Sequence, residues 1–287
     1  MILRPGTFHS RGTIRGNRIS LRVSILASGS SGNCTLLETS QTRLLVDAGL
    51  GKKETLRRLA AIEQSVDRLD GIVISHEHSD HINGLAHLLS HWRTTIYLTA
   101  ATHCEVIRGL TEKQLKRFER VEFIEPGQRF AVGDIEVSPF AIPHDAVDPL
   151  GFTFRSDGVK LAVATDLGYM PELVKVHLRD CDGMLLESNH DLEMLKVGPY
   201  PWHVKQRVMS RTGHLSNDTV SQFLADPEQF DGRSRFLVLG HLSESNNNPD
   251  VARISAEEAL NRRQGIAAFQ GELLVASQRE PLRPIQL

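Results

Sequence analysis

Within the ten residues 75–84, SHEHSDHING, the chain places three imidazoles, His76, His78 and His81, beside two carboxylates, Glu77 and Asp80, directly after the apolar run GIVI. Side chains two apart in an extended segment project to the same side, so His76 and His78 can close on one ion. A helix starting near Ser79 or Asp80 would set Asp80 and His81 on its first turn, facing a second ion from the same loop. Imidazole with carboxylate suits Zn²⁺, Mn²⁺ or Fe²⁺, and the absence of thiolates argues against a purely structural zinc knot. The plainer alternative is a histidine-rich surface turn in which Asp80 caps a helix.

Such a loop needs strands and helices to hold it. From Leu21 onward short β-branched runs alternate with helical stretches: RVSILA, CTLLET, RLLVDAG, a helix around KETLRRLAAIEQ, GIVIS, a helix around HINGLAHLLSHW, then TIYLT. The second half continues with IEVSPFAI, GFTFRS, VKLAVATD, DGMLLES and RFLVLGH, and with helices around MPELVKVHL, NDTVSQFLA and ARISAEEALNRR. Consecutive strands in the middle are joined by short turns such as SDG, which predicts an α/β (α+β) fold with mixed rather than strictly parallel sheets. His87 and His91 fall four apart beside Leu88, Leu89 and Trp92, and read as a solvated helix face.

Composition narrows the classes. The 287 residues are 40% hydrophobic and 24% charged, enough for one large core and unlike disordered or coiled-coil chains. A net charge of −2 gives no global sign of an anionic partner, so any basic surface must be local. No apolar stretch is long enough to span a bilayer and the N-terminus lacks a secretory pattern, so no membrane association and a cytoplasmic location are expected. Cys34, Cys104 and Cys181 lack C-x-x-C spacing and read as small hydrophobes. Residues 1–20 carry four arginines and no acid, and read as a loose basic tail or an early start.

The ordered set H-x-H-x-D-H of His76, His78, Asp80 and His81 resembles the metal loop of the metallo-β-lactamase superfamily, and the resemblance extends from Leu21 to the C-terminus. It implies an αββα sandwich, two mixed β-sheets flanked by helices, as a single domain over residues 21–287. It also implies further ligands at later strand ends: His144 in AIPHD, Asp166 in VATDLG and His241 in LGHLS. His76, His78 and His144 would hold one ion, Asp80, His81 and His241 the other, with Asp166 bridging them. In phosphodiesterase branches such as ribonuclease Z, a Gly-His-Ser/Thr histidine protonates the leaving oxygen and an acid orients it. His214 in GHLSN and Glu187 in DGMLLES match these two positions, and Asp80 would orient the attacking water.

Three segments are similar to the compact bacterial WalJ/YycJ group within that superfamily: ASGSSGNCTLLET, ESNHD followed by GPYPWHVKQRVMSRTGHLSN, and LGHLSESNNNP. This likeness implies a 5′→3′ exonuclease on DNA with two divalent ions, Mn or Zn. Candidate substrate contacts are Ser28, Ser30 and Asn33 in the small-residue loop, Lys205 and Arg207 before His214, and Ser243 and Asn246 after His241. Each has an ordinary alternative as a turn or solvated helix face. Two other functions remain open: a phosphodiesterase for a small cyclic phosphate or nucleotide, and a non-catalytic accessory of cell-wall signalling. An intact ligand set argues against the last.

Overall fold

The computed structural model describes residues 21–263 and 268–287, and the basic segment 1–20 lies outside the described residues. Residues 21–123 and the last strand build one seven-stranded sheet. Its strands are β1 (Arg22–Ala27), β2 (Cys34–Glu38), β3 (Arg43–Val46), β4 (Gly71–Val73), β5 (Ile96–Leu98) and β6 (Val121–Phe123). The second sheet contains β7 (Phe130–Val132), β8 (Ile135–Ala141), β9 (Leu150–Ser156), β10 (Val159–Ala164), β11 (Gly183–Glu187), β12 (Phe236–Gly240) and β13 (Glu272–Val275). The short β14 (Ile285–Gln286) returns to the first sheet and pairs antiparallel with β1. The orders are β14-β1-β2-β3-β4-β5-β6 and β13-β12-β11-β10-β9-β8-β7.

Both sheets are mixed, as the short turns predicted. β1 to β3 and β7 to β10 are antiparallel meanders, while β3 to β6 and β10 to β13 run parallel through helical crossovers. The apolar runs are continuous rather than alternating because each sheet is covered on both faces. In β10, Leu161 and Val163 enter the core between the sheets, whereas Ala162 and Ala164 face helices on the outside. Between the sheets, Val23, Leu37 and Val46 meet Phe152, Phe154 and Val238. Outside the first sheet lie Leu59, Leu85, Leu88 and Trp92 of the crossover helices; outside the second lie Val220, Phe223, Ala252 and Ala256. This is the four-layer helix–sheet–sheet–helix arrangement anticipated from the metal loop.

That architecture gathers chemistry at one rim. β4, β8, β10, β11 and β12 end at or just before Ser75, Ile142, Thr165, Ser188 and His241, so loops from both sheets converge where the strands stop. Sequence reasoning missed several outlying elements, among them the helix Ala100–Arg108, the edge strands β6 and β7, and β13. Their polar or short sequences carry little periodicity, and pairing with neighbours fixes their conformation.

Candidate metal centre

The loop after β4 is held by two neighbours. Asn33 N–H donates to Asp80 O at 2.7 Å, Ala48 N–H to His81 O at 2.7 Å, and Gly84 N–H to Ala48 O at 2.8 Å. A Cβ on Gly84 would sit 1.8 Å from Leu50 O, so only glycine lets these loops meet. Helix Ser79–Ile82 then starts where the spacing predicts, with His78 at its N-cap.

Three carboxylate or imidazole groups enter on strained backbone. Asp47, Asp166 and His241 have φ of 60°, 63° and 55° just beyond β3, β10 and β12. Left-handed conformation costs a non-glycine residue roughly 1–2 kcal/mol, and here it turns Asp166 and His241 from their strand ends into the cleft and Asp47 onto the outer nitrogen of His81.

The sequence-predicted ligands come together. Mutually close ligand atoms form one group from His76, His78 and His144 and another from Asp80, His81 and His241. His144 Nε2 is 3.2 Å from His78 Nδ1, and Asp80 Oδ2 is 3.3 Å from both His81 Nε2 and His241 Nε2. Asp166 lies between: Oδ2 is 3.4 Å from His81 Nε2, and Oδ1 is 3.5 Å from His241 Nε2 and 3.7 Å from His144 Nε2.

Whether these residues fit metal ions can be tested on the polar atoms they bury. His76 Nε2 and Asp166 Oδ2 are sequestered from solvent with no hydrogen-bond partner, a costly arrangement unless a cation completes it. The outer ring nitrogens are occupied in the way a metal site requires. His81 Nδ1–H donates to Asp47 at 2.8 Å, His144 Nδ1–H to Gly213 O at 3.2 Å, and His241 Nδ1–H to Glu187 Oε1 at 2.9 Å. In each, Nδ1–H is committed outward and Nε2 faces inward, where it can coordinate once a proton on it is displaced. Ser75 Oγ sits within 3.1 Å of Asp47 Oδ2, His76 Nδ1 and His81 Nδ1 and ties the set together. These residues fit divalent ions.

The electrostatics agree. Burial would raise the Asp80 and Asp166 carboxyls, but Asp80's hydrogen bonds from His241 and His81 and Asp166's attraction to the same imidazoles hold both well below the usual range. His76 is driven well below its ordinary value by burial and by repulsion from His81. His241 opposes its burial through Asp166, Asp80 and Glu187 and is raised to about 10.

Glu187 is the fully buried centre of a second network. Its Oε1 accepts from His214 Nδ1–H at 2.8 Å and His241 Nδ1–H at 2.9 Å; its Oε2 accepts from Leu167 N–H at 2.8 Å and Leu215 N–H at 3.0 Å. Burial pushes its carboxyl up, yet the charge and hydrogen bond of His214 bring it down to about 2. Reciprocally, burial disfavours His214 cation, but Glu187 raises its pKa overall. The pairing read from GHLSN and DGMLLES is therefore formed.

The proposed substrate contacts divide. Ser30, Arg207 and Ser243 line a cavity of about 240 Å³ together with His78, Asp80, Asp166, His214 and His241. The structure does not bring Ser28, Asn33, Lys205 or Asn246 to that lining. Ser28 Oγ accepts from His241 N–H at 2.8 Å, and Asn33 Nδ2 lies 3.1 Å from Asp80 Oδ2 and 3.0 Å from His81 Nε2. Lys205 is buried with Nζ donating to Lys196 O at 2.7 Å, and buried Asn246 donates through Nδ2 to Ser243 Oγ at 3.3 Å. These four brace the site's frame. His87 and His91 lie exposed on their helix, and His190 is buried outside the lining.

Sequence reasoning missed Asp47, Ser75, Asp145 and Tyr200. Asp47 had a legible signal, because LLVDAG repeats the strand-then-acid pattern of VATDLG. Asp145 follows the candidate ligand His144 and forms an ion pair with Arg207, both residues lining the cavity. No helix among the described residues is long and apolar enough to cross a membrane.

Comparison with known proteins agrees with this geometry. The family described as Beta-lactamase superfamily domain matches residues 42–241. Exodeoxyribonuclease WalJ of Streptococcus pneumoniae is 37% identical over 244 residues, covering 85% of this chain and 90% of that protein. Exodeoxyribonuclease YycJ of Bacillus anthracis is 36% identical over 247 residues, covering 85% and 91%. In fold, the chain resembles the metallo-beta-lactamase fold protein YhfI of Bacillus subtilis, with TM-score 0.67 at 17% identity over 91% of this chain and 99% of that one. The short form of human tRNase Z gives TM-score 0.60 at 17% identity, covering 91% and 98%. With its candidate ligands converging where the strands end and with near full-length relatives, the chain belongs to the metallo-β-lactamase superfamily, in the family of the WalJ and YycJ proteins.

Proposed function

We propose that residues 21–287 act as one unit, a dinuclear metal-dependent phosphodiester hydrolase that degrades DNA as a 5′→3′ exonuclease in the cytoplasm. The observation that carries the reading is that two adjoining His/Asp groups and the Glu187–His214 pair converge at one cavity, which His78, Asp80, Asp166, His241 and His214 line and the remaining members back. His76, His78 and His144 would hold one ion and Asp80, His81 and His241 the other, with Asp166 between them. Bound there, divalent ions such as Mn²⁺ or Zn²⁺ supply positive charge that makes water nucleophilic near neutral pH and neutralises phosphoryl oxygens.

The remaining work falls to side chains. Asp80 is fixed by Asn33 Nδ2 at one carboxylate oxygen and lines the cavity, so it can orient the attacking water and take its proton. Glu187 shifts His214 towards its cationic form against the effect of burial, and His214 faces the cavity as the donor of a proton to the leaving oxygen. Glu187 ties that donor to ligand His241, so donor and ligand keep one geometry. The WalJ and YycJ relatives, named exodeoxyribonucleases, support DNA as the substrate.

The test gives purified protein Mn²⁺ with end-labelled duplex DNA, single-stranded DNA, RNA and chromogenic diesters, with Asp80→Ala as control. Progressive shortening from 5′ ends, lost in the variant, is the expected result. Turnover of small diesters alone would replace the exonuclease with a small-molecule phosphodiesterase.

A further inference from the structure

The segment between β11 and His214 holds residues that the mechanism does not use. Tyr200, Val204, Arg207 and Val208 all line the cavity that His78, Asp80, Asp166 and His241 also line. Val204, Arg207 and Val208, spaced i, i+3 and i+4, form one face of the helix Trp202–Val208, and Tyr200 joins them from the bend before its N-cap Pro201. The other faces are committed elsewhere, with Lys205 turned inward to Lys196 O and Trp202 64% exposed. The cavity thus combines charged residues with an aromatic ring, two aliphatic side chains and a guanidinium in its lining.

This wall is rigidly joined to the proton donor. His214 N–H donates to Val208 O at 2.9 Å and Gly213 N–H to Ser210 O at 3.0 Å. A Cβ on Gly213 would lie 2.1 Å from Val208 O, so the helix end packs directly on the backbone before His214. At its start the segment is anchored by Asp191 N–H donating to Asn246 O at 2.9 Å. Arg207 is oriented by its ion pair with Asp145, which also lines the cavity.

The geometry points to a binding pocket for a single terminal nucleotide, formed by Tyr200, Val204, Arg207 and Val208. The proposal rests on the exonuclease reading and adds to it which piece leaves. A cavity of about 240 Å³ falls below the roughly 300–1,000 Å³ of pockets that enclose drug-sized ligands, so no more than one nucleotide seats against this wall at a time. Tyr200 and the two valines offer apolar surface to a base or deoxyribose, and Arg207 offers a fork to a terminal phosphate. Because the wall is bonded to His214, the pocketed nucleotide is the one that carries the leaving oxygen. Water oxygen bonds to phosphorus as the bond from phosphorus to O3′ breaks. The water's proton passes to Asp80 and His214 gives its proton to O3′. The products are a free 5′-terminal mononucleotide and a strand shortened by one residue bearing a new 5′-phosphate.

The experiment tracks the first product released by the Mn²⁺-loaded full chain from DNA with a radiolabelled 5′-phosphate. Labelled mononucleotide alone is expected, and di- or longer oligonucleotides as first products would overturn the pocket while leaving the exonuclease standing. No cleavage of DNA at all would overturn both. Val204→Trp, which fills the cavity, should raise KM for DNA at least tenfold with metal affinity within twofold of the parent; an unchanged KM would refute the wall's role. If Val204→Trp loses metal through misfolding, Tyr200→Ala carries the same test, with the same KM rise expected and an unchanged KM again refuting it.

Discussion

Replacing Glu187 by glutamine keeps its shape and removes its charge, and the four hydrogen bonds that the carboxylate accepts dictate how the amide must sit. Leu167 N–H and Leu215 N–H are fixed donors, so the amide oxygen must face them and the amide NH₂ must face His214 and His241. Both imidazoles must then accept at Nδ1, which moves their protons to Nε2. For His241 that nitrogen lies 3.3 Å from Asp80 Oδ2 and 3.5 Å from Asp166 Oδ1, where its lone pair is needed. Loss of such an outer partner typically weakens metal affinity about 10–100-fold, or about 1.4–2.8 kcal/mol. His214 also loses the carboxylate that raises its pKa, and general-acid catalysis is commonly worth about 10²–10⁴-fold.

Two readouts separate these effects. Competition with a chromogenic chelator measures affinity, and turnover at saturating Mn²⁺ measures chemistry. Glu187→Gln should be impaired in both, whereas His214→Ala should lose turnover and retain metal. Since Glu187 acts on chemistry through His214, the double variant at saturating metal should turn over little slower than His214→Ala alone. The alkaline limb of kcat/KM in Glu187→Gln should move to lower pH, because the acid is then deprotonated sooner. Wild-type metal affinity in Glu187→Gln, or multiplicative losses in the double variant, would refute the shared role.

The same geometry sets three further outcomes. Stripping the ions should lower Tm by about 10 °C or more, because each ion at a hundredfold excess over its Kd adds about 2.7 kcal/mol and 1 kcal/mol shifts a domain of this size by about 2–4 °C; an unchanged Tm in calorimetry would count against a built metal site. Without ions His81 and His241 are held protonated by neighbouring carboxylates, so ion binding must displace protons and affinity should rise with pH; calorimetry in buffers of different ionisation enthalpy should show proton release near neutral pH, and none would contradict the ligand assignment. Of the three cysteines, exposed Cys104 should react quickly with a thiol reagent, while burial shields Cys34 and pushes the Cys181 thiol up to about 12; Cys104→Ser should therefore abolish the fast phase.

Four of the candidate ligands were legible through a short-range rule: an apolar run ends and an imidazole or carboxylate follows within two residues. His76, His144, Asp166 and His241 are all such residues, and Asp47 would have been found by applying the rule to LLVDAG. The left-handed backbone at Asp47, Asp166 and His241 is the physical form of that rule, a strand brought to a stop with its side chain turned into the cleft or, for Asp47, onto His81 behind it. Substrate contacts obey no such rule. Serine, asparagine and lysine in loops serve a substrate and a backbone equally well, and only the fold shows that Ser28 holds His241 across 213 positions or that Lys205 caps a neighbouring helix. The residues that do face the cavity include Val204 and Val208, whose types carry no chemistry and whose spacing is that of any amphipathic helix. Reactivity is therefore written in residue types at strand ends, which sequence displays. The size of the piece cut off is set by an apolar surface whose position depends on one contact, His214 N–H to Val208 O, that joins the wall to the acid.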